Sequence, residues 1–282
     1  MVVRSGVAPL SPAEGNRSAY RQQAIVEIMR QREGWIDPAE RILLNRIADE
    51  VRSQPILDIG VGGGRTSWIL RLLSADYTAV DYSAEMVDAC RSEYAGLDVR
   101  ECDARDLSMF GDEMFSLVLF SFNGIDVLDH EGRLRALKEI HRVLRPQGLF
   151  LYSTLNKNGR EYGQRPWQVS LQQQKKPTRL VKFALIFPSS LPRYWRTYRN
   201  WWQRRQYAED HGSWAVCTAS PYEFQLVAHW TLPSTEREVL DSTGFSVEET
   251  LSVDGGPVVD DSAAPNYFYE LARKVASPPG VD

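Results

Sequence analysis

The chain has 282 residues, 43% of them hydrophobic and 25% charged, and a formal net charge of −4, which describes an ordinary soluble globular protein. The only cysteines, Cys90, Cys102 and Cys217, are too scattered for a disulfide framework or a paired-cysteine metal site, and favour a reducing cytoplasm. No run approaches the roughly 20 apolar residues that span a bilayer, and the first residues lack the apolar core of a signal peptide. A cytoplasmic protein without a bound metal is expected.

Short apolar runs bounded by glycine and proline alternate with helical patterns along most of the chain. The runs that predict strands are residues 55–59, 77–80, 97–101, 115–120, 149–154, 245–251 and 267–272. Between most of them, apolar residues recur at helical spacing, and an earlier helix is predicted to start at Asp37-Pro38. Alternation of this kind indicates βαβ units and an α/β fold with a mainly parallel sheet.

The alternation suggests five segments. They are an N-terminal helical cap (1–54), a ligand-binding core (55–155), a basic and aromatic insertion that forms a lid (156–230), the C-terminal part of the core sheet (231–275) and a disordered tail (276–282). The insertion interrupts the strand–helix pattern, which resumes after it, so the insertion is expected to pack over one end of the sheet.

A glycine-rich loop follows the first predicted strand. Gly60-Val61-Gly62-Gly63-Gly64 lets the backbone approach a ligand closely and adopt positive φ, and the following helix would present unpaired N–H groups to that ligand. The dinucleotide fingerprint needs Gly or Ala where this chain has Arg65, and no Gly-Lys-Ser/Thr of a P-loop follows. A glycine loop alone is weak support for any one ligand.

Acidic residues at the ends of the next two strands narrow the ligand class. Asp81 ends the second predicted strand about 20 residues after the glycines, where a carboxylate can accept hydrogen bonds from ribose hydroxyls. Asp103 follows the third strand within Glu101-Cys102-Asp103-Ala104. Both lie at carboxyl ends of strands, the edge at which open α/β sheets bind ligands.

These motifs resemble those of the class I S-adenosylmethionine-dependent methyltransferases, closely over residues 56–156 and loosely over the last forty. The resemblance implies a Rossmann-like, seven-stranded, mostly parallel sheet with flanking helices, one antiparallel strand (267–272), and a helical and aromatic insertion after strand five. It also matches residues 143–149 to a helix-to-strand turn in which Gln147 replaces a glycine. The S-adenosylmethionine-binding residues that it implies are Asp58, Gly60, Gly62, Gly64, Thr66, Asp81, Tyr82, Met86, Cys102, Asp103, Ala104, Ser121 and Asn123.

Methyl transfer from a sulfonium depends mainly on alignment of the nucleophile and exclusion of water, so a catalytic base is optional. Asp126, in the loop after strand four, could orient an acceptor or could be an ordinary turn carboxylate. His229 lies where the insertion returns to the sheet and is a candidate general base. Candidate substrate contacts are Trp230, Tyr222 and Trp167.

The insertion is strongly basic. Residues 157–207 contain 12 Lys/Arg and one acid, a net charge of +11, so the remainder of the chain carries −15. The segment is either a solvated basic helix with aromatics packed on the sheet, or a lid for an anionic or amphiphilic acceptor, or a contact with an anionic surface. Nucleic acid is disfavoured because the acidic remainder would repel a long backbone.

Three functions stay open on the sequence. The leading one is a methyltransferase that modifies an O, N or C atom of a small or medium-sized metabolite, as a monomer or homodimer. An RNA or protein methyltransferase docking through the insertion is less favoured, because the loop reads Ser121-Phe122-Asn123-Gly124 in place of the amino-methylating Asp/Asn-Pro-Pro-Tyr motif. The third is a cofactor-binding homologue without turnover.

Overall fold

A seven-stranded sheet forms the centre of the protein. The computed structural model describes residues 15–16, 34–172 and 194–275. The strands in these residues are β1 (Ile56–Ile59), β2 (Tyr77–Asp81), β3 (Asp98–Glu101), β4 (Phe115–Phe120), β5 (Leu144–Leu155), β6 (Glu209–Asp210), β7 (Trp214–Ala219), β8 (Leu226–Thr231), β9 (Phe245–Ser252) and β10 (Tyr267–Lys274). The large sheet has the order β3-β2-β1-β4-β5-β10-β9, and β10 is antiparallel to both neighbours. The predicted sheet and its antiparallel strand are confirmed.

The strand order reverses at β1. This strand pairs in parallel with β2 on one side and β4 on the other. Successive crossovers on either side of β1 therefore run to opposite edges, and the loops after β1 and β4 diverge to leave a crevice. The glycine loop and the loop that begins at Ser121 lie beside this crevice.

Helices cover both faces of the sheet. On one face lie α1 (Pro38–Val51), α2 (Ser67–Leu73) and α3 (Ala84–Glu93), and on the other α4 (His130–Val143) and α7 (Pro233–Ser242). Two further helices, α5 (Pro166–Gln172) and α6 (194–204), belong to the insertion. Successive side chains of a strand point to opposite faces, so Ile56 joins the core cluster under α1, α2 and α3, and Leu57 joins the cluster under α4 and α7. Ile56 and Leu57 are both fully buried, although they point to opposite faces, and this explains why the sequence of β1 is a continuous apolar run.

Two local signals of the sequence are explained by the backbone. The helix predicted to start at Asp37-Pro38 begins at Pro38, and the Asp37 N–H donates to the Glu40 carboxylate at 3.3 Å. Gln147, at the turn where the resemblance expects glycine, has φ +64°. A left-handed conformation at that position is the physical reason for the glycine preference.

The insertion differs from its prediction. Helices α5 and α6 and many aromatic residues are present, but β6, β7 and β8 form a three-stranded antiparallel sheet that the sequence did not predict. Every residue of β8 is buried, because one face of this strand packs beside the loop after β4 and the other in a small cluster around Trp230. Burial on both faces removes the alternation that marks a half-exposed strand.

Two predicted segments fall largely or wholly outside the described residues. The N-terminal cap (1–54) is described only at residues 15–16 and from residue 34 onward. The tail at 276–282 lies outside the described residues, as does the middle of the insertion at 173–193.

Candidate active site

A cavity opens at the carboxyl edge of the sheet, between the loops that follow β1, β2, β3 and β4. Most residues expected to bind the cofactor line it: Asp58, Gly60, Gly62, Thr66, Asp81, Tyr82, Met86, Cys102, Asp103, Ala104 and Ser121. Gly64 and Asn123 are not among its lining residues. The fold therefore gathers four separate loops of the sequence at one concave surface.

The glycine loop has three left-handed glycines with different surroundings. Gly60 and Gly62 have φ +67° and +54°, and a Cβ on Gly62 would meet no atom within 4 Å. Gly64, at φ +91°, faces Tyr94 at 2.5 Å and Cys90 at 3.2 Å from a Cβ position. Gly64 thus allows α3 to pack against the loop, which is a structural role, whereas Gly62 leaves open space for a ligand.

Asp81 is held rigidly at the end of β2. Its Oδ2 accepts the Gly62 N–H at 3.0 Å and its Oδ1 accepts the Ser83 N–H at 2.9 Å. Burial raises the pKa of Asp81 to about 6, so the carboxylate is mostly ionised at neutral pH. Each carboxylate oxygen keeps a second lone pair that can accept from a ligand hydroxyl.

Asp58 braces the start of the glycine loop. Its Oδ2 accepts hydrogen bonds from the Thr66 hydroxyl at 2.7 Å and the Tyr77 hydroxyl at 2.8 Å. Burial also raises the pKa of Asp58 to about 6. The carboxylate connects the end of β1 to the residue that precedes α2, so it fixes the loop on both sides.

Asp103 lies at the far end of the cavity. Its carboxylate forms a bidentate ion pair with Arg105, at 2.9 Å from Nε to Oδ1 and 2.6 Å from Nη2 to Oδ2. The Arg105 backbone N–H also donates to Oδ1 at 3.0 Å. These bonds fix the carboxylate beside Cys102 and Ala104, two further residues that the resemblance expects to bind the cofactor.

Arg65 forms the wall of the cavity opposite Asp103. In the sequence, Arg65 served only to exclude a dinucleotide-binding motif, and no role was predicted for its side chain. Its guanidinium binds both carboxylate oxygens of Glu40 in α1, at 2.7 and 2.9 Å, and donates to the Ser121 hydroxyl at 2.5 Å. It lies 4.6 Å from the centre of the Trp35 ring and 5.3 Å from that of Phe122. The wall is therefore a preformed stack that joins the N-terminal helix to the loop after β4.

That loop has an unusual backbone. Phe122 and Asn123 are consecutive left-handed residues, with φ +53° and +59°. Such conformations are costly for non-glycine residues, and two in succession beside a cavity mark a backbone held in place by its surroundings. The turn directs the Phe122 ring toward the cavity, whereas the Asn123 N–H donates to the Ser153 hydroxyl at 2.8 Å. Asn123 thus supports the loop from behind.

Asp126 is a structural residue rather than the acceptor-orienting group considered from the sequence. It is fully buried and does not line the cavity. Its carboxylate accepts from Arg133 at 2.5 Å, from the Thr154 hydroxyl at 2.8 Å and from the Leu155 N–H at 2.7 Å. Burial raises the pKa of Asp126 to about 7 although Arg133 favours its ionised form. These bonds occupy the carboxylate, so we assign it no catalytic role.

His229 is also placed away from the cavity. It is 2% exposed on β8, and its Nε2 lies 3.3 Å from His130 Nδ1. Its ring belongs to a stack with His130, Trp214 and His211, in which successive planes differ by less than 20°. Burial, with Arg133 and His130 nearby, lowers the pKa of His229 to about 2. A ring that stays neutral in a stack and faces no cavity has no access to an acceptor.

The substrate candidates are likewise not gathered at the cavity. Trp230 is fully buried in a small cluster with Leu155 and Ala228 and contacts Tyr162. Trp167 is 39% exposed and contacts Trp201 of the insertion. The side chain of Tyr222 lies outside the described residues. Trp230 and Trp167 are packing residues of the insertion.

Several cavity residues escaped the sequence analysis. They are Asn16, Trp35, Arg105, Phe122, Val127 and Leu128. The Asn16 amide donates to Val127 O at 2.9 Å and to Val227 O at 2.7 Å, so it joins the loop after β4 to the insertion. No local motif surrounds Asn16 or Trp35, because their partners are far away along the chain.

The residues present fit an adenosine-containing ligand. The open space above Gly62 admits a close approach to the backbone, and Asp81 offers fixed acceptors for a ribose diol. Met86 and Ala104 provide apolar surface for a flat base next to the Asp103 carboxylate. Thr66 and Ser121 lie on the side toward β4, where the remainder of such a ligand would extend.

Comparison with known sequences agrees with this geometry. Residues 56–148 match the family described as methyltransferase domain. A fatty-acid O-methyltransferase of Mycolicibacterium smegmatis is 34% identical over 113 residues, which are 37% of this chain and 38% of that protein. A demethylmenaquinone methyltransferase of Clavibacter sepedonicus is 34% identical over 115 residues, 40% of this chain and 45% of that protein. The matched part is thus less than half the length of either relative.

Solved structures share the fold over nearly the whole chain. The 1,6-didemethyltoxoflavin-N1-methyltransferase of Burkholderia thailandensis superimposes with a TM-score of 0.57 at 17% identity, covering 98% of this chain and 94% of that one. The CcbJ methyltransferase of Streptomyces caelestis gives the same score at 16% identity, covering 92% and 99%. At such identity the likeness shows the fold alone. Residues 56–148, which carry the glycine loop, Asp81 and Asp103, thus match a methyltransferase domain, and the solved structures share the fold around them.

Proposed function

We propose that this protein transfers a methyl group from S-adenosylmethionine to an O, N or C atom of a small or medium-sized metabolite. The observation that carries the proposal is Asp81, whose two carboxylate oxygens are fixed by the Gly62 and Ser83 N–H groups beside the open space above the glycine loop. A preorganised acceptor pair at the end of the second strand suits a ribose diol. Asp103, further along the same edge, suits the adenine amino group.

The residues of the cavity support a mechanism of orientation. When bound, S-adenosylmethionine would supply a methyl group already activated by its sulfonium. Among the described residues that line the cavity there is no histidine, and its carboxylates are held by backbone N–H groups, hydroxyls or Arg105. The chain therefore contributes binding, alignment and exclusion of water rather than proton transfer at a dedicated base.

The acceptor is proposed to be amphiphilic. Beyond Asp81 and Thr66 the cavity continues along Trp35, Phe122, Val127 and Leu128, which are mainly apolar. The two curated relatives described above are named for acceptors with long or apolar parts, a fatty acid and demethylmenaquinone. An acceptor with an apolar portion and one nucleophilic atom fits both observations. Its anionic character, the cytoplasmic location and a monomeric or dimeric state stay predictions.

Calorimetric titration with S-adenosylmethionine tests the cofactor assignment. The native protein should bind, and Asp81→Asn should weaken binding about 10- to 100-fold, since charge-assisted hydrogen bonds to the ribose are lost. Asp76→Asn is the matched control, because Asp76 is exposed and precedes the opposite end of β2. Absence of binding by the native protein, or equal affinities of the two variants, would refute the assignment.

A second experiment tests the acceptor class. Purified protein and methyl-labelled cofactor are incubated with small-molecule extract, with RNA and with protein from the same cells. Label in the small-molecule fraction supports the proposal. Label confined to RNA or protein would overturn it in favour of docking through the basic insertion. Cofactor binding without transfer to any fraction would indicate a homologue that has lost turnover.

A further inference from the structure

Helix α6 (194–204) has an inner and an outer face. On the inner face, Trp201 contacts Trp167 at 5.5 Å between ring centres, and the Asn200 amide donates to Glu223 O at 3.1 Å. Arg204 Nη2 lies 3.4 Å from Gly15 O. These contacts fix the orientation of the helix on the body of the protein, so its outer face is defined by the remaining positions.

The outer face carries an exposed aromatic stripe. Trp195 and Trp202 are 62% and 51% exposed, and Tyr198 lies between them. Positions 195, 198 and 202 are spaced by three and four residues and therefore lie on one side of the helix. Single exposed apolar residues are ordinary, but an aligned set of large rings at a protein surface marks a contact site.

Arginines flank this stripe. Arg196 and Arg199 line the same shallow concavity as the three rings, but Arg196 is paired with both carboxylate oxygens of Glu223, at 2.7 and 3.0 Å. The Arg205 guanidinium lies 3.4 Å from the centre of the Trp202 ring. Residues 194–207 contain four arginines and no acid, within a segment of net charge +11. Arg199 and Arg205 are therefore the cations of this surface that suit phosphate groups.

The arrangement of the rings distinguishes the partner. Tyr198 is stacked with Trp202 at 24° between planes, Trp195 meets Tyr198 at 84°, and Arg205 covers Trp202. Arg205 thus covers one face of the Trp202 ring, which disfavours stacking of nucleic-acid bases on that ring. The exposed rings and flanking arginines match the boundary between lipid headgroups and acyl chains, where Trp and Tyr concentrate.

We propose that the outer face of α6 docks the protein on the surface of an anionic lipid bilayer. Trp195, Tyr198 and Trp202 would lie at the headgroup–acyl boundary, and Arg199 and Arg205 would contact lipid phosphates. The docking is peripheral: among the described residues no helix is long and apolar enough to cross a membrane. The inference does not depend on the cofactor or acceptor assignments, because it concerns a surface away from the cavity.

Vesicle sedimentation with the full-length protein tests the docking. Vesicles of phosphatidylcholine with phosphatidylglycerol should bind the native protein at least about tenfold more tightly than phosphatidylcholine alone, and added salt should weaken the binding. Trp195→Ser/Trp202→Ser should reduce binding at least about tenfold. Trp68→Ser, at an exposed tryptophan of α2 outside the patch, should bind like the native protein.

An Arg199→Gln/Arg205→Gln variant keeps all three rings and provides a second readout. It should lose the preference for phosphatidylglycerol while retaining its weak binding to phosphatidylcholine. If circular dichroism shows that the tryptophan variant does not fold, the arginine variant alone tests whether the outer face of α6 binds anionic lipid. Equal binding of native protein and both variants, or no binding to either vesicle, would overturn the proposal. Tighter binding of a single-stranded oligonucleotide than of the anionic vesicles, or self-association through the patch, would also overturn it.

Discussion

The loops around the cavity and the region where the insertion packs differ in how far apart along the chain their hydrogen-bonded residues lie. Three hydrogen bonds within the motif loops join residues 2, 8 and 19 positions apart, namely Arg105 to Asp103, Thr66 to Asp58 and Gly62 to Asp81. The Arg65 wall adds longer links, to Glu40 and Ser121, 25 and 56 positions away. Contacts on the insertion side join residues 99, 103 and 211 positions apart, namely His130 to His229, Arg133 to Glu236 and Asn16 to Val227. The three bonds of the first set lie within short sequence motifs, whereas those of the second set form only when distant parts of the chain have folded together.

The largest effect is expected at Arg133, in the middle of the insertion side. Its buried guanidinium binds both Asp126 and Glu236, and the Tyr152 hydroxyl also donates to Glu236. Arg133→Met would leave two carboxylates buried without their cation, which typically costs about 3–5 kcal/mol of the free energy of unfolding. Urea unfolding followed by circular dichroism measures the loss.

Arg135→Met is the control for this variant, because Arg135 is exposed on the same helix and its loss should change the free energy of unfolding by less than about 0.5 kcal/mol. If the two regions are separable, folded Arg133→Met protein should still bind S-adenosylmethionine within about fivefold of the native affinity, about 1 kcal/mol. Similar stability of both variants would show that the buried ion cluster does not support the insertion side.

A second comparison lies within the glycine loop. Gly60→Ala adds a Cβ at a φ of +67° and 2.8 Å from Cε2 of Phe120, a buried ring. Gly62→Ala meets only the conformational cost, because nothing lies within 4 Å of its Cβ. We expect a loss of about 2–3 kcal/mol of unfolding free energy for Gly60→Ala and about 1 kcal/mol for Gly62→Ala.

For ligand binding we expect the opposite order: Gly62→Ala should lose more affinity than Gly60→Ala, although it loses less stability. The methyl group added by Gly62→Ala would occupy the open space of the cavity. The affinity of this variant for S-adenosylmethionine should therefore fall, although its stability is better preserved. Thermal unfolding and calorimetry on both variants give the two rankings. Equal affinity of Gly62→Ala and native protein would place the ligand away from the loop.

These contact lengths explain what the sequence could predict. The seven strands and the placement of Asp81 and Asp103 at one edge of the sheet followed from local patterns, whereas the antiparallel strand and the role of Asp58 came from the family resemblance. Arg65 was recognised only as an exception to a motif, because its partner Glu40 is 25 residues away. Gly64 was assigned to the ligand because its spacing matched, but packing against Tyr94 decides its role.

His229 tests the same distinction through pH, with the smallest expected effect. Its folded pKa is lowered to about 2 by burial, whereas an unfolded histidine titrates near 6.5. Between these values the unfolded chain binds a proton that the folded protein excludes, so this group destabilises the fold as pH falls below about 6.5, by up to about 1.4 kcal/mol per pH unit. Above that pH its contribution is constant.

His229→Gln removes this dependence. The native advantage in unfolding free energy over His229→Gln should therefore shrink by about 1 kcal/mol between pH 7 and pH 5.5. The comparison with a variant is needed because burial raises the pKa of Asp58 and Asp81, which makes those groups favour the fold on acidification. Proton NMR of the native ring should show no titration above pH 5. A ring that titrates near 6.5 would contradict the buried stack and restore His229 as a candidate base, which would shift the reactive part of the site from the motif loops to the insertion.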